Sequence, residues 1–325
     1  MIRTAFIATT LLLAAAPAAL AQKASAQDGH VNHAAHGAGP NAGPDAGHRA
    51  FTSDRLSVAV DGPDGAPDLI LIPGLSSSPD IWQGTVDHLA GRYRIHRIHV
   101  AGFAGAAPQA NAQGDAPRPV AAPVAEEIAR YIREQHLNKP AVVGHSMGGT
   151  MGMMLAARHP DLVGRLMVVD MIPFMGAMFG APGATAESVT PVADQIWAAQ
   201  ANSPRETYVA QATASINGMI NTESRREEAL QDMRDSDQKV SAAAFRELVT
   251  TDLRPELARI AAPTEVLYVK FNDARMTDAI TDAIYQASFA TLPGAKLKRI
   301  DDSAHFIMFD QPTAFYGELD AFLTR

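Results

Sequence analysis

A serine hydroxyl attacks a carbonyl efficiently only when a base removes its proton and a third group orients that base. Ser146 has the setting for such a role. It lies in Ala141-Val142-Val143-Gly144-His145-Ser146-Met147-Gly148-Gly149-Thr150, a β-branched run leading into Gly-x-Ser-x-Gly. The pattern predicts a sharp, strained strand-to-helix turn that lifts the hydroxyl clear of a sheet. Glycine suits positions 144 and 148, because a Cβ there would clash across the turn. The same turn aims the Met147 N–H toward the place where an oxyanion would develop.

The base expected for Ser146 is His305, in Asp301-Asp302-Ser303-Ala304-His305-Phe306, between the last expected strand and the last expected helix. Loops at the C-terminal ends of parallel strands are where such sites assemble. His145 abuts the serine and reads as structural, while His96, His99, His136 and His159 read as packing or surface. Two carboxylates fit as the orienting acid. Asp273, past the strand near Lys270, gives the chain order Ser, Asp, His and is favoured on that ground. Asp170 ends the preceding strand and is the alternative. A second oxyanion donor is expected from the turn after Ile72, at the Leu75 N–H.

Seven short strands must carry these loops. Leu56–Val60 alternates like an edge strand, and Leu69–Ile72 is a continuous apolar run of the kind buried on both faces. Tyr93–Val100, the run into Ser146, Leu166–Asp170, Val266–Val269 and Leu297–Ile300 supply the rest. Helices are expected at Trp82–Leu89, from Pro123 to near Asn138, after the serine as far as Pro160, and from Pro312 to the end. Strands alternating with helices make an α/β fold, with a mostly parallel central sheet flanked by helices. Residues 171–258 break the alternation with Met, Pro and Gly, then helical patterns at Ala229–Met233 and Ala242–Val249. This segment reads as an inserted helical cap between core segments 51–170 and 259–325.

The 325 residues carry a formal charge of −8 and no run of Lys and Arg, which argues against a nucleic-acid partner. Residues 1–21 read as a signal peptide, with Arg3, an apolar stretch centred on Leu11–Leu13 and an Ala19-Leu20-Ala21 cleavage site. No membrane anchor is expected after cleavage, so the mature chain is expected to be periplasmic or secreted. There is no cysteine, which removes disulfides, a thiol nucleophile and lipidation of a cysteine together. Residues 22–50 read as a flexible linker, and His30, His33, His36 and His48 within it read as adventitious metal binders.

The chain resembles the α/β-hydrolase superfamily over about residues 55–325. The resemblance rests on Leu71-Ile72-Pro73-Gly74 with Trp82 downstream, Gly144-His145-Ser146-Met147-Gly148-Gly149, Asp273, and Ala304-His305-Phe306 before Gln311-Pro312. It implies Ser146 as nucleophile, His305 as base, Asp273 as acid, and the Leu75 and Met147 N–H groups as oxyanion hole. Two departures stand out: Pro73-Gly74 where the family often has His-Gly, and His99-Val100-Ala101-Gly102 where Asp-x-x-Gly is frequent. Serine at 146 sets the chain apart from the haloalkane dehalogenases, which use an aspartate nucleophile.

The expected chemistry is ester hydrolysis through an acyl-enzyme, with no cofactor or metal. Lactone opening, C–C bond hydrolysis and perhydrolysis are alternatives on the same triad, and a non-catalytic ligand-binding module is the alternative of another class. Met171, Met175 and Met178 share helical spacing just past the Asp170 strand, so they are expected to line an apolar, adaptable substrate pocket for a small ester-type molecule.

Overall fold

The computed structural model describes residues 51–270, 273, 276–292 and 294–324. The expected signal peptide and the histidine-bearing linker lie outside the described residues. Seven strands form one sheet: β1 (Leu56–Asp61), β2 (Asp68–Ile72), β3 (Arg94–Val100), β4 (Ala141–His145), β5 (Arg165–Val169), β6 (Thr264–Tyr268) and β7 (Lys296–Arg299). Their order is β1-β3-β2-β4-β5-β6-β7. Strand β1 runs antiparallel to β3, and every other pair is parallel. All seven expected strands are present.

Among the described residues ten helices accompany the sheet: α1 (Gln83–Leu89), α2 (Ala121–Glu134), α3 (Met147–Arg158), α4 (Ala186–Asn202), α5 (Arg205–Asn217), α6 (Arg226–Asp235), α7 (Gln238–Thr250), α8 (Asp278–Ser288), α9 (Ile307–Asp310) and α10 (Pro312–Thr324). Helix α2 begins two residues before Pro123, which sits in its first turn where a missing N–H costs nothing. Helices α4 to α7 fall between β5 and β6 with no strand among the described residues, and they form the cap.

The central strands are apolar throughout because helices cover both faces. Ile70, Ile72, Val142, Leu166 and Val266 pack with α2 and α3 on one face. Leu69, Leu71, Val143, Met167 and Leu267 pack with α1 and α10 on the other. The connection after β2 leaves toward β3 on one side and that after β4 leaves toward β5 on the other, so the C-terminal ends of β2 and β4 flank a topological switch point, where open α/β sheets place their sites.

Helix α7 ties the cap to this core. Val240, Ala243, Ala244 and Leu248 belong to the main core, whereas Phe245 and Val249 pack with Val189, Ala193 and Ile196 of α4. The buried Glu247 adds a polar joint. Its Oε2 accepts from the N–H groups of Val120 (2.6 Å) and Ala121 (2.7 Å), and its Oε1 from that of Ala122 (2.8 Å). The first N–H groups of a helix have no intrahelical partner, and Val120 has no side chain to cap them. A carboxylate from the cap does so instead, favoured there by the helix dipole. Burial pushes the Glu247 carboxyl up, and the three N–H donors oppose that shift. Glu247→Gln replaces an acceptor-only group with one that turns an NH2 toward an N–H. We expect it to destabilise the protein by about 2–4 kcal/mol in denaturant titrations.

Candidate active site

Ser146 occupies the turn between β4 and α3 with φ 53° and ψ −121°, a strained conformation for a residue with a Cβ. Neighbouring backbone holds it there. Its N–H donates to Val169 O at 2.9 Å, and its carbonyl accepts from Gly149 N–H at 2.8 Å. The glycines are needed for two different reasons. A Cβ on Gly144 would run into the Gly148 carbonyl, as expected for a clash across the turn. A Cβ on Gly148 would instead strike the Ile72 and Pro73 carbonyls of the neighbouring strand and its loop. As the first residue of α3, Met147 has an N–H with no intrahelical acceptor.

His305 lies beside the elbow, on the loop between β7 and α9. The His145 and His305 rings are 4.6 Å apart between centroids, and His145 Nε2 donates to the His305 carbonyl at 3.0 Å. His145 is fully buried. Burial first, and then the neighbouring His305, hold it well below the ordinary histidine range, so it stays neutral. Its structural role is thus a specific one: it straps the elbow to the His305 loop. Two further ties fix that loop. Asp310 Oδ2 accepts from Ala304 N–H at 2.9 Å, and Phe306 N–H donates to Met219 O in the cap at 3.2 Å.

The carboxylate that meets His305 is Asp170, whose Oδ2 lies 2.6 Å from Nδ1. Chain order favoured Asp273, and the geometry instead brings in the alternative at the end of β5. The reason is positional: β5 is hydrogen-bonded to β4, whereas β6 stands one strand further from the elbow. Asp273 lies in the loop after β6, its backbone carbonyl accepting from Met276 N–H at 2.9 Å. Asp170 is itself in a left-handed conformation, with φ 52°, and its N–H donates to Leu267 O at 2.7 Å. Its Oδ1 accepts from Val269 N–H (3.1 Å) and from the Tyr285 hydroxyl (2.9 Å). Sequence reading missed Tyr285 because it missed α8, although Thr277 caps that helix through the Ile280 N–H and marked its start.

Across the elbow lies the loop after β2. A Cβ on Gly74 would come within 3.2 Å of Ser146 Cβ and 3.1 Å of His145 Nδ1, so this backbone runs directly past the serine. Leu75 follows, half-buried and packed between the core and the cap. The cap secures the rest of the loop. Ser241 Oγ lies 2.8 Å from Ser76 Oγ, and Asp232 Oδ2 accepts from Ser78 N–H at 2.7 Å. Sequence reading did not single out these cap residues.

The three methionines do not share a helix. Met171 precedes the short 3-10 turn Met175–Met178, is buried, and lies beside Gly149 of α3. Met178 is 39% exposed. Met175 alone packs at the seam that Leu75 also occupies. The helical spacing was misleading because Pro173 falls between the first two.

Residues 67–312 match the family described as the alpha/beta hydrolase fold. The chain belongs to the α/β hydrolases and is a hydrolase of that family. It is 25% identical over 258 residues to the pimeloyl-[acyl-carrier protein] methyl ester esterase of Vibrio cholerae, an alignment spanning 79% of this chain and 94% of that one. Among solved structures, a hydrolase from Pseudomonas aeruginosa superposes with a TM-score of 0.66 at 21% identity, covering 83% of this chain and 94% of its own. The enol-lactonase of Burkholderia xenovorans gives 0.64 at 21%, covering 83% and 96%. At these identities the structural likeness concerns the fold.

Proposed function

We propose that this hydrolase is a serine esterase that cleaves a small carboxylic ester through an acyl-enzyme, with Ser146 as nucleophile, His305 as base and Asp170 as the orienting acid. The observation that carries the reading is the 2.6 Å contact of His305 Nδ1 with Asp170 beside a strained Ser146. An ionised carboxylate only accepts hydrogen bonds, so Nδ1 carries the proton and Nε2 is left as the basic nitrogen. Nε2 takes the Ser146 proton as Oγ attacks the ester carbonyl, then returns it to the leaving alkoxide as the C–O bond breaks. Water, deprotonated by the same nitrogen, attacks the acyl-Ser146 ester, and the proton passes to Ser146 Oγ as the acid departs. The Met147 N–H at the start of α3 and the Leu75 N–H beyond Gly74 are assigned to the oxyanion. The esterase name of the Vibrio cholerae relative supports the choice of ester.

Ser146→Ala and His305→Ala should each lower ester turnover by about 10³-fold or more while the fold persists, since neither deletes core volume. Asp170→Asn should approach the same loss, and Asp273→Asn should remain near the parent. Retention of more than about a tenth of activity in the Ser146 or His305 variant would overturn the assignment. The reverse ranking of the two aspartates would return the acid to Asp273.

The acyl group is proposed to rest against the seam of Leu75 and Met175, both apolar and both half-buried there. Each methylene buried contributes up to about 0.8 kcal/mol, so kcat/KM should climb severalfold per two-carbon step until the space is filled. In a panel of esters and lactones, hexanoyl and benzoyl esters should outrun acetyl esters. Acetyl esters running fastest would show a small or polar site.

A further inference from the structure

Tyr285 sits behind the acid in a setting that a packing role alone does not explain. Its ring is buried on α8, stacked on Tyr268 at 4.0 Å between centroids and parallel to Phe289 at 6.5 Å. Its hydroxyl reaches Asp170 Oδ1 at 2.9 Å, on the carboxylate oxygen opposite the one that meets His305. The stack beneath it is pinned to the sheet. The Tyr268 hydroxyl donates to Asp282 Oδ1 at 2.9 Å, and Arg299 of β7 contacts both Asp282 oxygens at 2.9 Å. Burial, with Asp170 adding to it, raises the Tyr285 hydroxyl well above its ordinary range, so it stays protonated and acts as the donor.

We propose that Tyr285 is a positioning residue for the hydrolytic reaction, its hydroxyl locking the Asp170 carboxylate so that Oδ2 faces His305 Nδ1. This rests on the assignment of Ser146, His305 and Asp170 above. The side chain of Asp170 has two torsions, and a hydrogen bond to Oδ2 alone would leave the carboxylate free to swing. The Val269 N–H fixes Oδ1 from the backbone, and Tyr285 fixes it from a second direction. Donors on Oδ1 also stabilise the negative charge that must face an imidazolium when His305 takes the serine proton. The left-handed backbone at Asp170 is consistent with this demand, since strain of that kind persists only where surrounding contacts hold it.

The test is a double-mutant cycle with full steady-state kinetics. Tyr285→Phe keeps the stacked ring and removes one oxygen. It should lower kcat about tenfold with KM within about twofold of the parent, as loss of a hydrogen bond to a charged group predicts. Tyr268→Phe keeps the stacked ring, removes a hydroxyl that bonds Asp282 rather than Asp170, and should lower kcat by much less than Tyr285→Phe does. In an Asp170→Asn background, Tyr285→Phe should cost less than about twofold, because the charged carboxylate that Tyr285 orients has already been replaced by a neutral amide. Thermal melts of each variant monitor folding. An unchanged kcat in Tyr285→Phe would overturn the proposal, as would an equal loss with and without Asp170. Activity surviving in Ser146→Ala or His305→Ala would instead remove the reading on which the proposal rests.

Discussion

The hydrogen bond between His305 and Asp170 is the constraint on which the site depends. A neutral imidazole has one donor nitrogen and one acceptor, and only the form protonated at Nδ1 presents a basic Nε2. A carboxylate on Nδ1 selects that form, holds the ring in place and stabilises the cation formed when the proton arrives. Both ends of the bond are fixed by the fold. Asp170 stands at the end of β5, with its backbone paired to Leu267 and its Oδ1 held from β6 and α8. His305 is on a loop tied to the elbow by His145, to the cap by Met219 and to α9 by Asp310.

Strain and its support lie close together here. Ser146 and Asp170 both adopt positive φ, and each donates its N–H to the strand beside it: Ser146 to Val169, Asp170 to Leu267. The parallel ladder thus extends one residue past β4 and β5 and holds two unfavourable conformations at its edge. Such outliers cost of order 1–3 kcal/mol each, an amount that a buried sheet interior readily offsets. The cap helps on the other side of the elbow, where Ser241 and Asp232 hold the loop bearing Leu75. Glu247 joins the same cap to the start of α2. Loss of cap packing would therefore reach the loop bearing Leu75 without any change at Ser146, His305 or Asp170.

Much of this arrangement was legible in the residues. Strands buried on both faces announce themselves as runs such as Leu69–Ile72 and Val266–Val269, and each of the seven strands overlaps a segment expected for one. The elbow was legible because its glycines are a steric requirement. The family was legible from the spacing of the same motifs and is shown by the match over residues 67–312. The partner of His305 was not: chain order favoured Asp273, yet Asp170 also falls between Ser146 and His305 in the chain. Which of them meets His305 depends on strand adjacency. Tyr285 was hidden for a related reason, since α8 is a short amphipathic helix whose role appears only once β5, β6 and β7 lie side by side. The methionines showed the opposite failure: their spacing was helical, and Pro173 kept Met171 off the turn that holds Met175 and Met178.

Proton NMR of the protein in water tests the central interaction most directly. A proton shared between His305 Nδ1 and a close, partly buried carboxylate is expected as a resolved low-field resonance, identified by its absence from His305→Ala. The account predicts that this resonance disappears in Asp170→Asn and persists in Asp273→Asn. A resonance that survives loss of the Asp170 carboxylate and vanishes with Asp273 would contradict it.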